Sequence, residues 1–185
     1  MGRVGTEPAG TGSGRWVRPA QADDAGLVEE ILTEAARWTA ERGVPAPWPV
    51  PYPRANFLPR LLRGEVYLAQ AADGPAVATV TLQWDDVPFW GEQPPIAGYV
   101  HRLAVRPAHR GQGWGRWLLE WAALRCRAAG RGLLRLDCVQ ANRALCAYYE
   151  RLGFVFERSV EAGGFRCALF ERPLTAARDG RPSSP

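Results

Sequence analysis

The chain has 185 residues, 46% of them hydrophobic, and 23 Lys and Arg against 19 Asp and Glu give a net charge of +4; that length supports one domain with a substantial core and is too short for two ordinary ones. The positive balance suits a polyanionic ligand, but the basic residues are arginines spread over several segments rather than a run, which disfavours nucleic acid as a partner. No apolar stretch approaches the roughly 18 residues of a membrane span and the N-terminus lacks the apolar core of a secretion signal, so a cytoplasmic protein with no membrane attachment is expected.

Residues 1–14 and 175–185 are poor in large apolar side chains, cannot offset the entropy of ordering, and are expected to be flexible tails around a domain at 15–174. That domain opens with a short strand at Trp16–Arg18. Asp23 and Asp24 offer an N-cap to a helix in which Leu27, Ile31, Ala35 and Trp38 recur at helical spacing, ending near Gly43. The proline-rich segment Val44–Pro53 cannot be helical and reads as an extended loop carrying Trp48 and Tyr52. A short helix at Phe57–Arg63 precedes two strands, Val66–Ala71 and Ala76–Trp84, joined by a hairpin turn at Ala72–Pro75. A long loop, Asp85–Pro95, leads to a strand at Ala97–Val105 and a helix at Gly113–Ala129 with Trp117, Leu118, Trp121 and Leu124 facing inward. A strand at Leu133–Val139, a helix opened by Asn142 and running to Leu152, and a hairpin of Phe154–Val160 and Arg166–Leu174 around Glu161–Gly164 complete the order.

The junction between the strand ending at Val105 and the next helix carries the clearest chemistry. Gly111, Gly113 and Gly115 let the backbone take positive φ and approach a ligand closely, while the first N–H groups of the helix point outward. This is a cradle for a pyrophosphate, with Arg110 and Arg116 adding charge on either side. A Walker A loop is excluded because Gly113-Trp114-Gly115-Arg116 stands where Gly-Lys-Ser/Thr is required, and a dinucleotide fingerprint is disfavoured by the spacing of the third glycine. The four cysteines, Cys126, Cys138, Cys146 and Cys167, lack metal-site spacing and lie in apolar segments, so they read as buried free thiols and no metal is expected.

The spacing Arg110-x-x-Gly113-x-Gly115 resembles the acyl-CoA signature of the GNAT superfamily of N-acetyltransferases. The segment Asn142 to Phe154, with Tyr149 seven residues after Asn142 and Gly153-Phe154 at the helix end, resembles a second motif of that family. The resemblance covers Trp16 to Leu174. It implies an α/β fold with a central, mostly antiparallel twisted sheet, one splayed strand pair and flanking helices. It further implies acetyl-CoA as acyl donor, held by Arg110, Gly111, Gln112, Gly113, Trp114, Gly115, Arg116 and Asn142, with the pantetheine arm bonded to the backbone of Leu103 and Val105, and Leu103 and Ala104 N–H groups facing the thioester oxygen. Tyr149 is the matching proton donor to the leaving thiolate.

The base stays open between three candidates. His101 lies two residues before Leu103, which strand alternation would place on the same face, and an imidazole titrating near 6.5 suits proton uptake at neutral pH. The segment YVHRLAV resembles that of arylalkylamine acetyltransferases, where the matching histidine relays the amine proton, although Tyr99 stands where that branch has a second one. Asp137 is the alternative base or the partner orienting the imidazole, and water is the third candidate. Asp85, Asp86 and Glu92 read as a solvated rim. Trp48, Tyr52, Trp84, Phe89 and Trp90 are expected to cluster at the acceptor end and, with the carboxylates, to receive a cationic amine. The expected function is acetyl transfer to a primary amine of a small molecule, by direct transfer in a ternary complex. The alternatives are a non-catalytic CoA-binding or partner-binding module, another acyl group, or a protein amine; a homodimer is left open.

Overall fold

The computed structural model describes residues 14–46, 48–71 and 74–174; all of the expected tail at 1–14 except Gly14, the expected tail at 175–185, and Ala72 and Asp73 of the expected hairpin turn lie outside the described residues. The strands are β1 (Arg15–Pro19), β2 (Val66–Ala71), β3 (Ala76–Gln83), β4 (Ala97–Val105), β5 (Leu133–Val139), β6 (Val155–Ala162) and β7 (Phe165–Pro173). The helices are α1 (Ala25–Glu41), α2 (Leu58–Leu62), α3 (Val87–Trp90), α4 (Trp114–Ala128) and α5 (Arg143–Arg151). The strands form one seven-stranded sheet in the order β1-β2-β3-β4-β5-β7-β6. Every neighbouring pair is antiparallel except β4 and β5. This is the mixed α/β architecture that the sequence order implies.

Two of its local features follow from single side chains. The Asp24 carboxylate accepts a bond from the Gln21 N–H at 2.8 Å and pairs with Arg18 at 2.6 Å, so one residue both satisfies the chain entering α1 and ties that helix to β1. Asn142 Oδ1 accepts from Leu145 N at 3.1 Å and caps α5, as its position in the motif requires. The inward faces differ in detail from the spacing argument. In α1 the buried stripe is Val28, Ile31, Leu32, Ala35 and Ala36, leaving Leu27 and Trp38 at its margins; in α4, Leu119, Ala122, Ala123 and Cys126 are buried whereas Leu124 is exposed. The loop expected at Asp85–Pro95 contains the short helical turn α3, which buries Trp90.

The helices divide between the two faces of the sheet. On one, α4 and α5 pack over Val17, Val80, Leu82, Val100, Leu134, Leu136 and Phe170. On the other, α1 and α2 cover Val66, Leu68, Ala76 and Ala104, and α3 sets Trp90 against Ala97, Tyr99 and Leu169.

Strand β4 departs from a regular ladder in two ways. First, it pairs with β5 only from Ala97–Val100 against Leu133–Leu136; beyond that, β4 continues with β3 and β5 with β7, and the two strands splay apart. Second, the register shifts: Thr81 opposes His101 while Thr79 opposes Ala104, so β4 carries one residue more than β3 over this stretch. The extra residue makes a β-bulge, with Arg102 at φ +49, the single non-glycine residue with positive φ among the described residues. A left-handed conformation costs an L-residue about 1–2 kcal/mol.

Candidate active site

The cradle forms as the glycine spacing requires. Gly113 caps α4 in the left-handed region, φ +80, and a side chain there would meet nothing nearer than Arg15 Nη1 at 4.0 Å; a Cβ on Gly111 would meet nothing within 4 Å. The first bond of α4 runs from Trp117 N to Gly113 O, and the N–H groups of residues 111–116 find no acceptor among the described residues. An exposed row of backbone donors at a helix N-terminus is an anion site. Arg15, which sequence reasoning missed, donates from Nη2 to the carbonyl of Gln112 at 2.7 Å and lies 4.3 Å over the Trp114 ring, bracing the turn from β1. Arg110 stacks on Trp38 at 3.6 Å, with Arg42 on the same ring at 4.5 Å, while the Arg116 side chain is exposed.

At the splay the β5-facing backbone edge of residues 101–105 is left without a strand partner, and Leu103, Ala104 and Val105 lie along it. The two tyrosines of α5 approach from the α4 face. Tyr149 is buried among Phe154, Phe170 and Tyr148, and burial, reinforced by the neighbouring Cys138 and Asp137, pushes its phenol well above the ordinary value of 10. Tyr148 is half-buried. Its hydroxyl reaches the first turn of α4, so that a Cβ on Gly115 would sit 3.1 Å from it. Burial raises its pKa too, against the opposing pull of Arg116 and Arg151.

The bulge corrects the expected facing of His101. Leu103 packs on the α4 side, whereas His101 points to the opposite face, with its ring centroid 5.7 Å from that of Phe89. There its Nε2 lies 3.0 Å from Asp86 Oδ2 and its Nδ1 lies 3.2 Å from Asp137 Oδ1. Asp86 is therefore not part of a solvated rim: its side chain is 4% exposed, against 70% for Asp85. An ionised carboxylate only accepts hydrogen bonds, so a ring held by two of them carries a proton on both nitrogens. Burial alone would lower the pKa of His101, but the bonds to Asp137 and Asp86 and their charges outweigh it and lift it from 6.5 to about 9. The raised pKa favours the doubly protonated His101 ring at neutral pH.

Asp86 also walls a cleft of about 260 Å³ with Trp84, Asp85, Glu92 and Tyr99. The five aromatics expected at the acceptor end do not form one cluster. Trp48 and Tyr52 pack with α1 and α2, Phe89 and Trp90 with Tyr99, and Trp84 on the α4 side, because each follows the face its own segment covers. Tyr99 gives its hydroxyl to Arg135, which donates to it at 3.2 Å. All four cysteines are buried and free; burial lifts Cys167 to about 11 and Cys126 to about 12, and Cys138, 3.6 Å from Cys146, higher still. Among the described residues no cluster of His, Cys, Asp or Glu has the makings of a metal site, and no helix is long and apolar enough to cross a membrane.

Comparison with known proteins agrees with this geometry. The chain is 29% identical over 181 residues to YesJ, an uncharacterized N-acetyltransferase of Bacillus subtilis, covering 88% of this chain and 92% of that protein. A GNAT-family acetyltransferase from Listeria monocytogenes superimposes with a TM-score of 0.71 at 25% identity, over 85% of this chain and 94% of that one. YncA of Salmonella typhimurium, solved with its cofactor acetyl-CoA, superimposes with a TM-score of 0.61 at 22% identity, over 89% and 98% of the two chains. Residues 27–154 match the Acetyltransferase (GNAT) family, a span that includes the cradle, the splay, the Asp86–His101–Asp137 triad and α5, and the chain belongs to that family.

Proposed function

We propose that the protein moves an acetyl group from acetyl-CoA to a primary amine of a small molecule, by direct transfer within a ternary complex. The observation that carries this reading is the cradle of free N–H groups continuing into the unpaired edge of β4. The residues fit the donor: the N–H groups of residues 111–116, with Arg110 and Arg116, suit its pyrophosphate, and the open backbone of Leu103 and Val105 suits the amides of its arm as an added strand would. Bound there, acetyl-CoA supplies an activated thioester carbonyl. The Leu103 N–H is the proposed donor to its oxygen; the Ala104 N–H, expected to share that role, turns to β3, because Ala104 opposes Thr79 two residues before the Arg106 N–H bond to Val77. Asn142 is the proposed neighbour at the start of α5, its Oδ1 already committed to the helix cap.

Tyr149 is the proposed proton donor to the thiolate, since its raised pKa keeps the phenol protonated across the working range. Tyr148 is the second candidate, favoured by its hydroxyl at Gly115. On the amine side, a His101 with both nitrogens engaged has no lone pair to offer, so the proton passes to Asp137, or to a water resting on it, with His101 and Asp86 as positioning residues. Direct transfer is supported by the thiols: buried cysteines with raised pKa values make poor nucleophiles.

The test is a screen of primary amines with acetyl-CoA, read by release of free thiol, followed by two-substrate kinetics on the best acceptor. Intersecting double-reciprocal lines are expected. Parallel lines would mean a covalent acetyl-enzyme and overturn direct transfer.

A further inference from the structure

Resting on the acetyltransferase reading, a further property concerns the acceptor and comes from Arg102. This residue holds the strained position of the β4 bulge, φ +49. Backbone outliers of this kind gather where a fold holds a ligand. The bulge places it on the same side of the sheet as His101, because its Nε donates to the Tyr52 hydroxyl at 3.2 Å, and Tyr52 belongs to the α1 and α2 layer. Tyr52 is itself buried and set edge-on to Trp48, with ring centroids 5.6 Å apart, so the guanidinium is oriented by a fixed aromatic wall.

What distinguishes Arg102 is its charge balance. The other part-buried arginines of this region are neutralised: Arg106 by Glu34 and Glu30, Arg135 by Glu171, Arg60 by Glu65 and Arg18 by Asp24. Arg102 has no carboxylate within 4 Å among the described residues, and its two terminal nitrogens make no hydrogen bond there. Immediately before it in sequence, His101 sits between two carboxylates, a group with a net charge of about −1 when the ring is doubly protonated. Consecutive Cα atoms are about 3.8 Å apart. A negative and a positive centre therefore stand on neighbouring residues on the same side of the sheet, in an arrangement complementary to a small zwitterion.

We propose that Arg102 binds a carboxylate of the acceptor, so that the acceptor is an amino acid or a related small amine carrying an acid group next to the amine. The guanidinium suits a carboxylate because its planar fork can meet both oxygens at once. The ammonium end then lies toward Asp86 and Asp137, where it can lose its proton, and the Trp48–Tyr52 wall lies against the acceptor's apolar part.

The test uses matched acceptor sets: a panel of L-amino acids, their methyl esters and their decarboxylated amines, each assayed with acetyl-CoA by thiol release. The wild type is compared with Arg102→Gln and Arg102→Lys, and the acids and esters are also titrated calorimetrically into the CoA-bound protein. The wild type is expected to favour acid over ester by tenfold or more in kcat/KM, chiefly through KM, and to bind the acid more tightly. In Arg102→Gln the acid-to-ester ratio should fall toward one, and Arg102→Lys should recover part of it; a ratio within one protein is insensitive to general damage. A wild type that prefers the ester or the decarboxylated amine, or a ratio unchanged in Arg102→Gln, overturns the Arg102 assignment and leaves the acetyltransferase reading standing. No transfer to any member of the panel, with acetyl-CoA still bound, overturns both.

Discussion

Tyr149 and Tyr148 are adjacent in sequence yet have different surroundings, and this makes a discriminating pair of variants. Removal of the Tyr149 hydroxyl by Tyr149→Phe is expected to lower kcat by about 10²-fold or more, the usual span for a general acid, with acetyl-CoA affinity unchanged. Tyr148→Phe should act mainly on acetyl-CoA binding, because its hydroxyl lies against the first turn of α4. Rates and calorimetric affinities of both variants check this; a Tyr148→Phe protein with the larger loss in kcat would exchange the two roles. His101 gives a prediction in stability. Its folded pKa of about 9 lies above the unfolded value near 6.5, so the stabilisation it contributes is complete below about pH 6.5 and is lost as pH rises through 9. Denaturant titrations from pH 6 to pH 10 should show the wild type losing stability over that window, and His101→Gln should lack that slope. Asp86 shows why the triad was only partly legible. A carboxylate in a loop rich in Asp, Glu, Gly and Pro is indistinguishable by composition from its exposed neighbour Asp85. Only the short turn α3, begun by Val87-Pro88, turns it inward.

The elements around the site are held by close approaches that single substitutions should disturb in different ways. At Gly113 a Cβ has room, so the folding cost of Gly113→Val is the backbone's, about 1–2 kcal/mol for an L-residue with positive φ. The same side chain projects from the cradle and should weaken acetyl-CoA binding at least tenfold by calorimetry; unchanged affinity in the folded variant would remove the cradle from the binding site. Gly98 presents the opposite case. A Cβ there would run into the Cys126 Sγ, with Trp84 and Leu82 closing the space, so β4 and α4 pack at a distance only glycine permits. Gly98→Ala should lose about 1–3 kcal/mol or more by overpacking, and Cys126→Ala in the same chain should recover part of it, as chemical denaturation would report. Periodicity and capping rules located every strand and the four longer helices, because α1, α4 and α5 announce themselves by cap residues and apolar stripes. The bulge was not legible, since nothing in His101-Arg102-Leu103 signals a left-handed residue when glycine is absent. The bracing of the cradle by Arg15 escaped for another reason: Gln112 is 97 residues away in sequence, and only the folded sheet brings the two together.

Across the whole molecule, the sheet consists of a half from β1 to β4 and a half from β5 to β7, joined through a parallel ladder of four residues on each strand and through the shared core under α4. A ligand lying in the splay would contact both halves beside that ladder. Acetyl-CoA at one hundred times its dissociation constant should therefore stabilise the protein by about 2.7 kcal/mol through mass action alone. Hydrogen exchange should slow not only in residues 111–116 but also along β4 from His101 to Val105. Protection confined to the cradle would mean that the arm does not enter the splay. At this scale the sequence was most informative: the order of strands and helices together with two motifs implied the sheet and the position of the opening in it. The meeting of Asp86, His101 and Asp137 on one face depended on contacts that no local window contains.

The extra residue in β4 also bears on how this site can change over generations. Point substitution at positions 101 and 102 alters which groups line this face while leaving both on one side of the sheet. Loss of a single codon within this stretch would remove the bulge, restore strict alternation, and send one of the two side chains to the opposite face. Exploration of new acceptors by this lineage is thus expected to proceed by amino-acid replacement at a constant strand length, and an in-frame deletion here to behave as a null allele even where the fold survives.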